Sequence, residues 1–550
     1  MSLDFFRRVL LWGIALAGTM SVTPAQAFAD GDTCPRPPVG SVVMPPPDLY
    51  SSGGVLNVTF DYHTSVDDVG RTLYCFVTPD GMESPTLHVN PGDTVNIHVT
   101  NAIPAAPLGP VERIAADGIV CGDATMTVTS VNMHFHGLNV SPKCHGDETI
   151  FTMINSGDSF DYKLKIPADE PPGLYWYHPH IHGTSSQNVQ GGGTGMIEVE
   201  GIANIQPAVA GLPERFLILR DEQLGTGLNG GPQATPNYPF WDASINYVTV
   251  PYPSYTPAII KMSSSGSEFW RVANAAANTI MDIQVLYDGV AQPLQIVGFD
   301  GVPTGSQDGK QQGTIVTQTD ALLPPAGRVE FIVAPPPSTV KDARLITRTI
   351  DGGPASDSNP ERRFAKIELS DNPHLPRAPK PNGPPNKQRF EGLKDAKVTA
   401  KRTLYFFEVP SHAPGRKHVP GEPVVFYITV DGQSNRVFDP NEPPAVTTNK
   451  GAVEEWTIQN RSPEVHEFHI HQIHFLVEEV NGVKIPKDQQ QFYDTYQVGY
   501  YDGVSENFPY IKVKMDFRGA VVGDFVYHCH ILDHEDGGMM AKIRVLPKAP

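Results

Sequence analysis

The sequence predicts an all-β protein built of three consecutive Greek-key β-sandwich domains, on three observations. Glycine (50) and proline (53) are both abundant among 550 residues, which disfavours long helices and suits short strands joined by turns. Apolar residues alternate in short runs, the period of a half-buried strand. One stretch also recurs three times: "GDTVNIHVTN" (Gly92–Asn101), "GSEFWRVAN" (Gly266–Asn274) and "GAVEEWTIQN" (Gly451–Asn460) each open on Gly and close on Asn. In the first copy Val95, Ile97 and Val99 face one way while Asn96, His98 and Thr100 face the other. Repeats this far apart mark domains of well over a hundred residues, in line with a prior of ~150 residues per domain.

Taken in chain order, "FFRRVLLWGIALAGTMSVTPAQA" pairs Arg7 and Arg8 with an apolar run and the small-residue site Ala25-Gln26-Ala27. This reads as an export signal over 1–27, by the general or the twin-arginine route. No later stretch is apolar for long enough to cross a bilayer. The mature chain is therefore expected to be soluble and extracytoplasmic, periplasmic or secreted. The first domain is expected over 40–200, ending after the glycine cluster 191–193, and the second over 201–371. The Pro-rich "NPHLPRAPKPNGPP" begins a linker over 372–400, and the third domain fills 401–550. A formal charge of −19 argues against nucleic acid or an anionic membrane surface as partner, and weakly favours cationic or neutral substrates.

Cysteines number five: Cys34, Cys75, Cys121, Cys144 and Cys529. Four of them make two disulfides in an oxidising compartment, with three pairings open. Cys34–Cys75 with Cys121–Cys144 is carried forward as a guess. Cys529 is set apart by its neighbours, in "HCHILDHEDGGMM". Of 19 histidines, 12 fall in the stretches 134–136, 178–182, 466–474 and 528–534, and 201–371 has none. "YWYHPHIHG" echoes "FVYHCHILDH", and "MHFHG" echoes "FHIHQ", so the outer domains carry the chemistry and the middle one is a spacer.

On a strand, residues i and i+2 share a face and i+1 points away. His528 and His530 thus look to one side and Cys529 to the other, so one strand can feed two metal sites and join them covalently. A thiolate from Cys529, imidazoles from His534 and His466, and a weak axial thioether from Met539 form a blue-copper donor set. On the opposite face, four His-x-His pairs (134/136, 178/180, 469/471, 528/530) give eight imidazoles. Two pairs come from each outer domain, which suits a three-copper cluster at the interface of the first and third domains. A lone pair is more often surface decoration or part of a zinc site, but zinc closes at four ligands and would leave histidines unused.

With these residues the chain resembles the three-domain multicopper oxidases of the laccase type, over nearly its whole mature length. The resemblance implies cupredoxin-like domains and four coppers per chain. It implies type 1 copper at His466, Cys529, His534 and Met539, type 2 at His134 and His469, and the type 3 pair at His136, His178, His180, His471, His528 and His530. His182 and His474 fall outside this ligand pattern and are read as residues behind the ligands or at the surface. Two acids are implied for proton delivery. One is Glu535, beside His534; the other is Asp147 or Glu148, blurred by an apparent insertion around Cys144, with Asp147 favoured. "HFHG" departs from the family where Trp often stands, without loss of a ligand.

The implied activity is one-electron oxidation of phenols or aromatic amines coupled to four-electron reduction of O2 to water. The alternative is a cuprous or other metal oxidase, against which stand only 13 methionines and no Met-rich segment. A bilirubin-oxidase-like preference is a variant of the same chemistry. A non-catalytic binding protein on this fold is disfavoured because every ligand position is filled, and a copper nitrite reductase by the third domain. The segment 489–503, with Phe492, Tyr493 and Tyr496, is expected either to line the type 1 edge or to serve as core. Cys529→Ser is expected to abolish intense blue absorbance and oxidase activity in a folded protein; retained blue colour contradicts the thiolate assignment.

Overall fold

In a computed structural model the described residues are 33–106, 121–224, 239, 241–307, 313–371, 373, 375–380, 389–410, 424–519 and 521–548. The expected signal over 1–27 and part of the expected linker lie outside them. The protein is nearly all β, 46% strand against 5% helix, in three cupredoxin-like sandwiches.

In the first sandwich a four-stranded sheet (Thr72–Val77, Val55–Val66, Thr94–Asn101, Ser159–Lys165) packs on a five-stranded one that ends in Gly173–His178 and His134–His136. The second pairs the sheet containing Glu214–Glu222, Glu268–Asn274 and Arg328–Val333 with the sheet containing Arg362–Ser370, Ala343–Thr347 and Met281–Tyr287. In the third, Ala400–Pro410, Val453–Asn460 and Tyr510–Asp516 face Met540–Leu546, Gly523–Cys529, His466–Ile470 and Thr495–Val498. Strand order departs from chain order in every sheet of these sandwiches, as Greek-key crossovers require.

The threefold repeat has a physical meaning. Each copy is a central strand that runs parallel to the strand before it and antiparallel to one after it. Thr94–Asn101 lies between Val55–Val66 and Ser159–Lys165. Glu268–Asn274 lies between Glu214–Glu222 and Arg328–Val333. Val453–Asn460 lies between Ala400–Pro410 and Tyr510–Asp516. The alternation read from the first copy is the burial pattern observed: Val95, Ile97 and Val99 are buried, with Asn96 half-buried and His98 exposed.

The closing asparagine does the same work three times. Asn101 Nδ2 donates to Thr129 O and Ile154 O, and its Oδ1 accepts from Ile103 N–H. Asn274 donates to Thr279 O and Leu323 O and accepts from Ala276 N–H. Asn460 donates to Glu464 O and Val498 O and accepts from Ser462 N–H. Each side chain thereby satisfies backbone groups that a chain leaving a buried strand would orphan. The second and third copies also share an Arg-Glu-Trp unit. Glu268 takes a bidentate contact from Arg215 and the indole N–H of Trp270, and Glu454 the same from Arg402 and Trp456.

Two disulfides, Cys34–Cys75 and Cys121–Cys144, match the pairing carried from the sequence, and Cys529 is free and buried. Among the described residues no helix is long and apolar enough to cross a membrane. The two disulfides are compatible with an extracytoplasmic location.

A buried charge cluster ties the first sandwich to the second. Arg271, fully buried, donates to Glu198 at 2.6 Å, Glu214 at 2.6 Å and Glu330 at 2.7 Å. Removing one member of such a cluster leaves the others buried without a counter-charge. Arg271→Met is expected to cost roughly 3–5 kcal/mol, read as a lowered unfolding temperature of the copper-loaded enzyme. An unchanged unfolding temperature would show that the arginine holds no net charge in place.

Candidate metal centres

Two sets of donors meet on opposite sides of the strand Gly523–Cys529 and its continuation. Cys529 pairs with Phe468 and His528 with His469 across the sheet, so the strand His466–Ile470 brings its histidines to both sets. On the core side of the third sandwich, His466 Nδ1 and His534 Nδ1 are 3.2 Å apart, and Cys529 Sγ lies 3.6 and 3.8 Å from them. The short helix Leu532–Asp536 carries His534, and its return presents Met539, fully buried in the same core cluster as Cys529. The Met539 carbonyl accepts from Cys529 N–H at 3.0 Å, and Glu467 N–H points at Sγ from 3.4 Å.

On the other side all eight predicted imidazoles come together, at most 2% exposed. His180 Nε2 and His471 Nε2 each lie 3.3 Å from His528 Nε2. His134, His136 and His178 form a second trio, and His134, His469 and His471 a third, with ligand atoms within 4.8 Å of one another. His530, from the third sandwich, packs beside His136, His178 and His469.

The cage has the marks of a site built for cations. His134 Nε2, His136 Nδ1, His178 Nε2, His469 Nε2 and both ring nitrogens of His530 are buried with no hydrogen-bond partner. The second nitrogen of four of these rings is held from behind. Asp147 holds His134 Nδ1, Asp494 Oδ1 lies 3.1 Å from His136 Nε2, and backbone carbonyls take Nδ1 of His178 and His469. Such backing contacts fix ring orientation for metal ligands. Burial first, then the neighbouring imidazoles, push the whole group down: His178 to about 3, and His134, His136, His180, His469, His471 and His530 well below the usual value. Burial also takes His528 and His466 to about 3. Neutral imidazoles with inward lone pairs, beside a thiol set with two further imidazoles, fit copper in both places.

The geometry separates the two acids that the sequence left open. Both Asp147 oxygens lie 3.0 Å from His134 Nδ1; Phe135 N–H donates to Oδ1 and the Gln472 amide to Oδ2. Glu148 turns away and accepts from Ile150 N–H, Phe151 N–H and the Thr152 hydroxyl. Burial pushes Asp147 up to about 8, while a cation at His134 acts in the opposite sense. Glu535 is fully buried, its Oε1 3.9 Å from His180 Nδ1 and accepting from the Ser185 hydroxyl.

His474 is buried behind the cage, its Nε2 on Asp300 O at 2.8 Å, whereas His182 packs on Phe438 away from it. The segment 489–503 departs from one of its two expectations. The cavity at His534 is lined by other segments, while Phe492 stacks on Phe390 and Tyr493 packs on Phe299. Sequence reading missed Asp494 within that segment. It receives Arg328 of the second sandwich bidentately at 2.7 and 2.5 Å while holding His136, so the ligand-free domain buttresses the cage. The one available signal was the "DT" dipeptide. Gln472, which anchors Asp147, left none.

Three sandwiches, with one cysteine and two histidines gathered in the third and a buried imidazole cage beside them, define a copper-binding oxidoreductase. Two parts of the chain, 125–203 and 417–549, match multicopper oxidase family models. A laccase of Haloferax volcanii is 25% identical over 97% of this chain and 90% of its own length. A multicopper oxidase (mco) of Staphylococcus haemolyticus is 23% identical over 84% and 81%. Among solved structures, a variant of the multicopper oxidase McoA from Aquifex aeolicus superposes with a TM-score of 0.64 at 17% identity, covering 92% of this chain and 99% of its own. A Campylobacter jejuni multicopper oxidase described as a metallo-oxidase gives 0.61 at 21%, covering 93% and 96%. These matches support a laccase-type multicopper oxidase.

Asp147→Asn is expected to slow O2 reduction by roughly a hundredfold or more while leaving anaerobic reduction of the blue centre unchanged, as stopped-flow absorbance would record. Glu148→Gln is expected to leave both rates intact; the reverse outcome assigns the role to Glu148.

Proposed function

We propose that this enzyme oxidises a small reducing substrate one electron at a time at the edge of His534 and reduces O2 to water inside the imidazole cage. The observation that carries the reading is the placement of Cys529 between His528 and His530, which joins the two donor sets through three consecutive residues. His466, Cys529, His534 and Met539 would hold one copper, His134 and His469 a second, and His136, His178, His180, His471, His528 and His530 a pair. Copper bound there supplies the one-electron redox chemistry and the reduction of O2.

The remaining work belongs to the chain. The sandwich core around Cys529 excludes water and fixes the thiol, which lowers the reorganisation that each electron transfer demands. Asp147, backed by Gln472, orients His134 and is placed to hold a proton at the carboxyl beside the cage. Glu535 does the same near His180, with Ser185 as its hydrogen-bond partner. A division into 40–200, 201–371 and 401–550, the second part free of ligands, completes the proposal.

The substrate class follows from the cavity at His534. Its volume of about 330 Å³ suits a single-ring donor, and its lining includes Asp357, Glu408, Glu464 and Asp533, with no lysine or arginine among the described residues. Glu464 Oε1 lies 3.1 Å from His534 Nε2 and is held down to about 2, burial being outweighed by the His534 charge. Glu408, beside it, is pushed up to about 9 by burial and by Glu464. Glu464 and Asp533, joined by Asp357 as pH rises through its value of about 7 (burial and Glu464 push it up), make the electron-entry edge acidic and favour cationic donors, while Glu408 stays a neutral acid near pH 7. Within the laccase-like reading, aromatic donors that carry a separate cationic group, such as an alkylammonium, are therefore preferred to neutral phenols and to aromatic amines, which are largely uncharged near neutral pH. The same observation supports oxidation of Cu(I) as the second reading, in keeping with the metallo-oxidase described from Campylobacter jejuni.

Oxygen uptake by the copper-loaded enzyme separates the cases when a neutral phenol, a phenol bearing an alkylammonium group and Cu(I) are compared. The double variant Asp357→Asn with Asp533→Asn, assayed above pH 7 where Asp357 is ionised, is expected to lower kcat/KM for the cationic donors by roughly tenfold and to spare the neutral phenol. Equal losses on all three donors would show that the carboxylates do not select the substrate.

A further inference from the structure

Away from both donor sets, at the contact of the first and second sandwiches, a cavity of about 70 Å³ is lined by three guanidinium groups, from Arg36, Arg71 and Arg220, together with Gln190, Glu222 and Tyr247. Two of the three charges are matched. Arg36 pairs with Glu83 at 2.7 Å; Arg71 pairs with Glu222, with Asp242 at 3.6 Å and with Asp67 at 3.7 Å.

Arg220 differs. It is 1% exposed, its Nε donates to Thr194 Oγ1 at 2.7 Å and its Nη2 to Thr194 O at 3.1 Å. Its guanidinium lies 4.0 Å from the Tyr247 ring centroid, and that of Arg36 4.1 Å from the same ring. None of its partners is a carboxylate, and Nη1 has no hydrogen-bond partner at all. Gln190 Nε2, from the last residue of the helix Ser185–Gln190, is likewise buried and without a partner on the same cavity wall. The carbonyls that would repel an anion here are engaged: Gly191 O accepts from Arg36 Nη2 and Gly192 O from the Tyr247 hydroxyl.

A guanidinium stays charged at every physiological pH; Glu83 and Glu222 act on that of Arg220 without a hydrogen bond to it, so Nη1 is buried with no acceptor, which is unfavourable. The missing acceptor must come from whatever occupies the cavity. At about 10–15 Å³ per water the cavity holds about five waters, and two buried, unpartnered N–H groups on its wall beside further arginine charge are donors of the kind an oxyanion takes. We propose that this cavity is a binding site for a small tetrahedral oxyanion of phosphate or sulfate size. The ion would accept from Arg220 Nη1 and Gln190 Nε2 and clamp the first sandwich to the second.

The test uses the full-length, copper-loaded enzyme, with unfolding temperature followed against phosphate, sulfate and chloride at matched ionic strength. A binding site predicts a rise that saturates at millimolar phosphate or sulfate, unlike the unsaturating effect of general salting-out. Chloride is expected to give no saturating rise. Gln190→Leu, which keeps the charge, and Arg220→Met are each expected to weaken the apparent affinity roughly tenfold or more. Crystals grown with selenate are expected to show an anomalous peak between Arg220 and Gln190. A rise that never saturates or is the same in Gln190→Leu, equal stabilisation by chloride, or water alone in the cavity would each overturn the proposal.

Discussion

The dyad period of a β-strand is the constraint from which the rest of this structure follows. Because successive side chains leave a strand on opposite faces, one strand of the third sandwich delivers Cys529 into that sandwich's own core while His528 meets His180 and His471 across a domain contact. Neither donor set can move without the other, since they share a backbone. The neighbouring strand His466–Ile470 obeys the same rule, sending His466 toward Cys529 and His469 into the cage. Two separate centres at fixed spacing are therefore a consequence of alternation, with no linker to adjust.

Around that strand the protein manages an electrostatic difficulty. Eight imidazoles gathered out of water stay neutral, since burial and their mutual repulsion oppose protonation. Their backing partners then decide which nitrogen faces inward, and those partners come from far away in sequence. Asp494 of the third sandwich is gripped by Arg328 of the second while it holds His136 of the first. The ligand-free middle sandwich thus serves as a buttress, and Arg271 and its three glutamates fasten it to the first.

Local patterns made much of this legible in the sequence. The Gly-to-Asn repeat marked the same central strand in all three sandwiches because the closing asparagine has the same backbone groups to satisfy each time. The His-x-His pairs and His-Cys-His announced the donor sets because their spacing is the strand period itself. What stayed hidden depends on long-range assembly. Asp147 and Glu148 are adjacent and chemically alike, and only the turn of the chain shows which one reaches His134. The aromatic residues of 489–503 left edge and core equally open, and nothing there showed that Phe492 is buried while Asp494 beside it holds the cage. The acidic cavity at His534 gathers Asp357 and Glu464 from two loops, Glu408 from the strand Ala400–Pro410 and Asp533 from the helix Leu532–Asp536, and no spacing rule links them.

The central claim is that alternate residues of one strand serve two distinct copper centres. Metal analysis of the purified holoenzyme, together with its visible spectrum, tests this most directly. The account predicts four coppers per chain after full reconstitution, with an intense blue band that vanishes in Cys529→Ser while the copper of the imidazole cage remains. Zinc in place of copper, a stoichiometry well below four, or loss of cage copper together with the blue centre in that variant would contradict it.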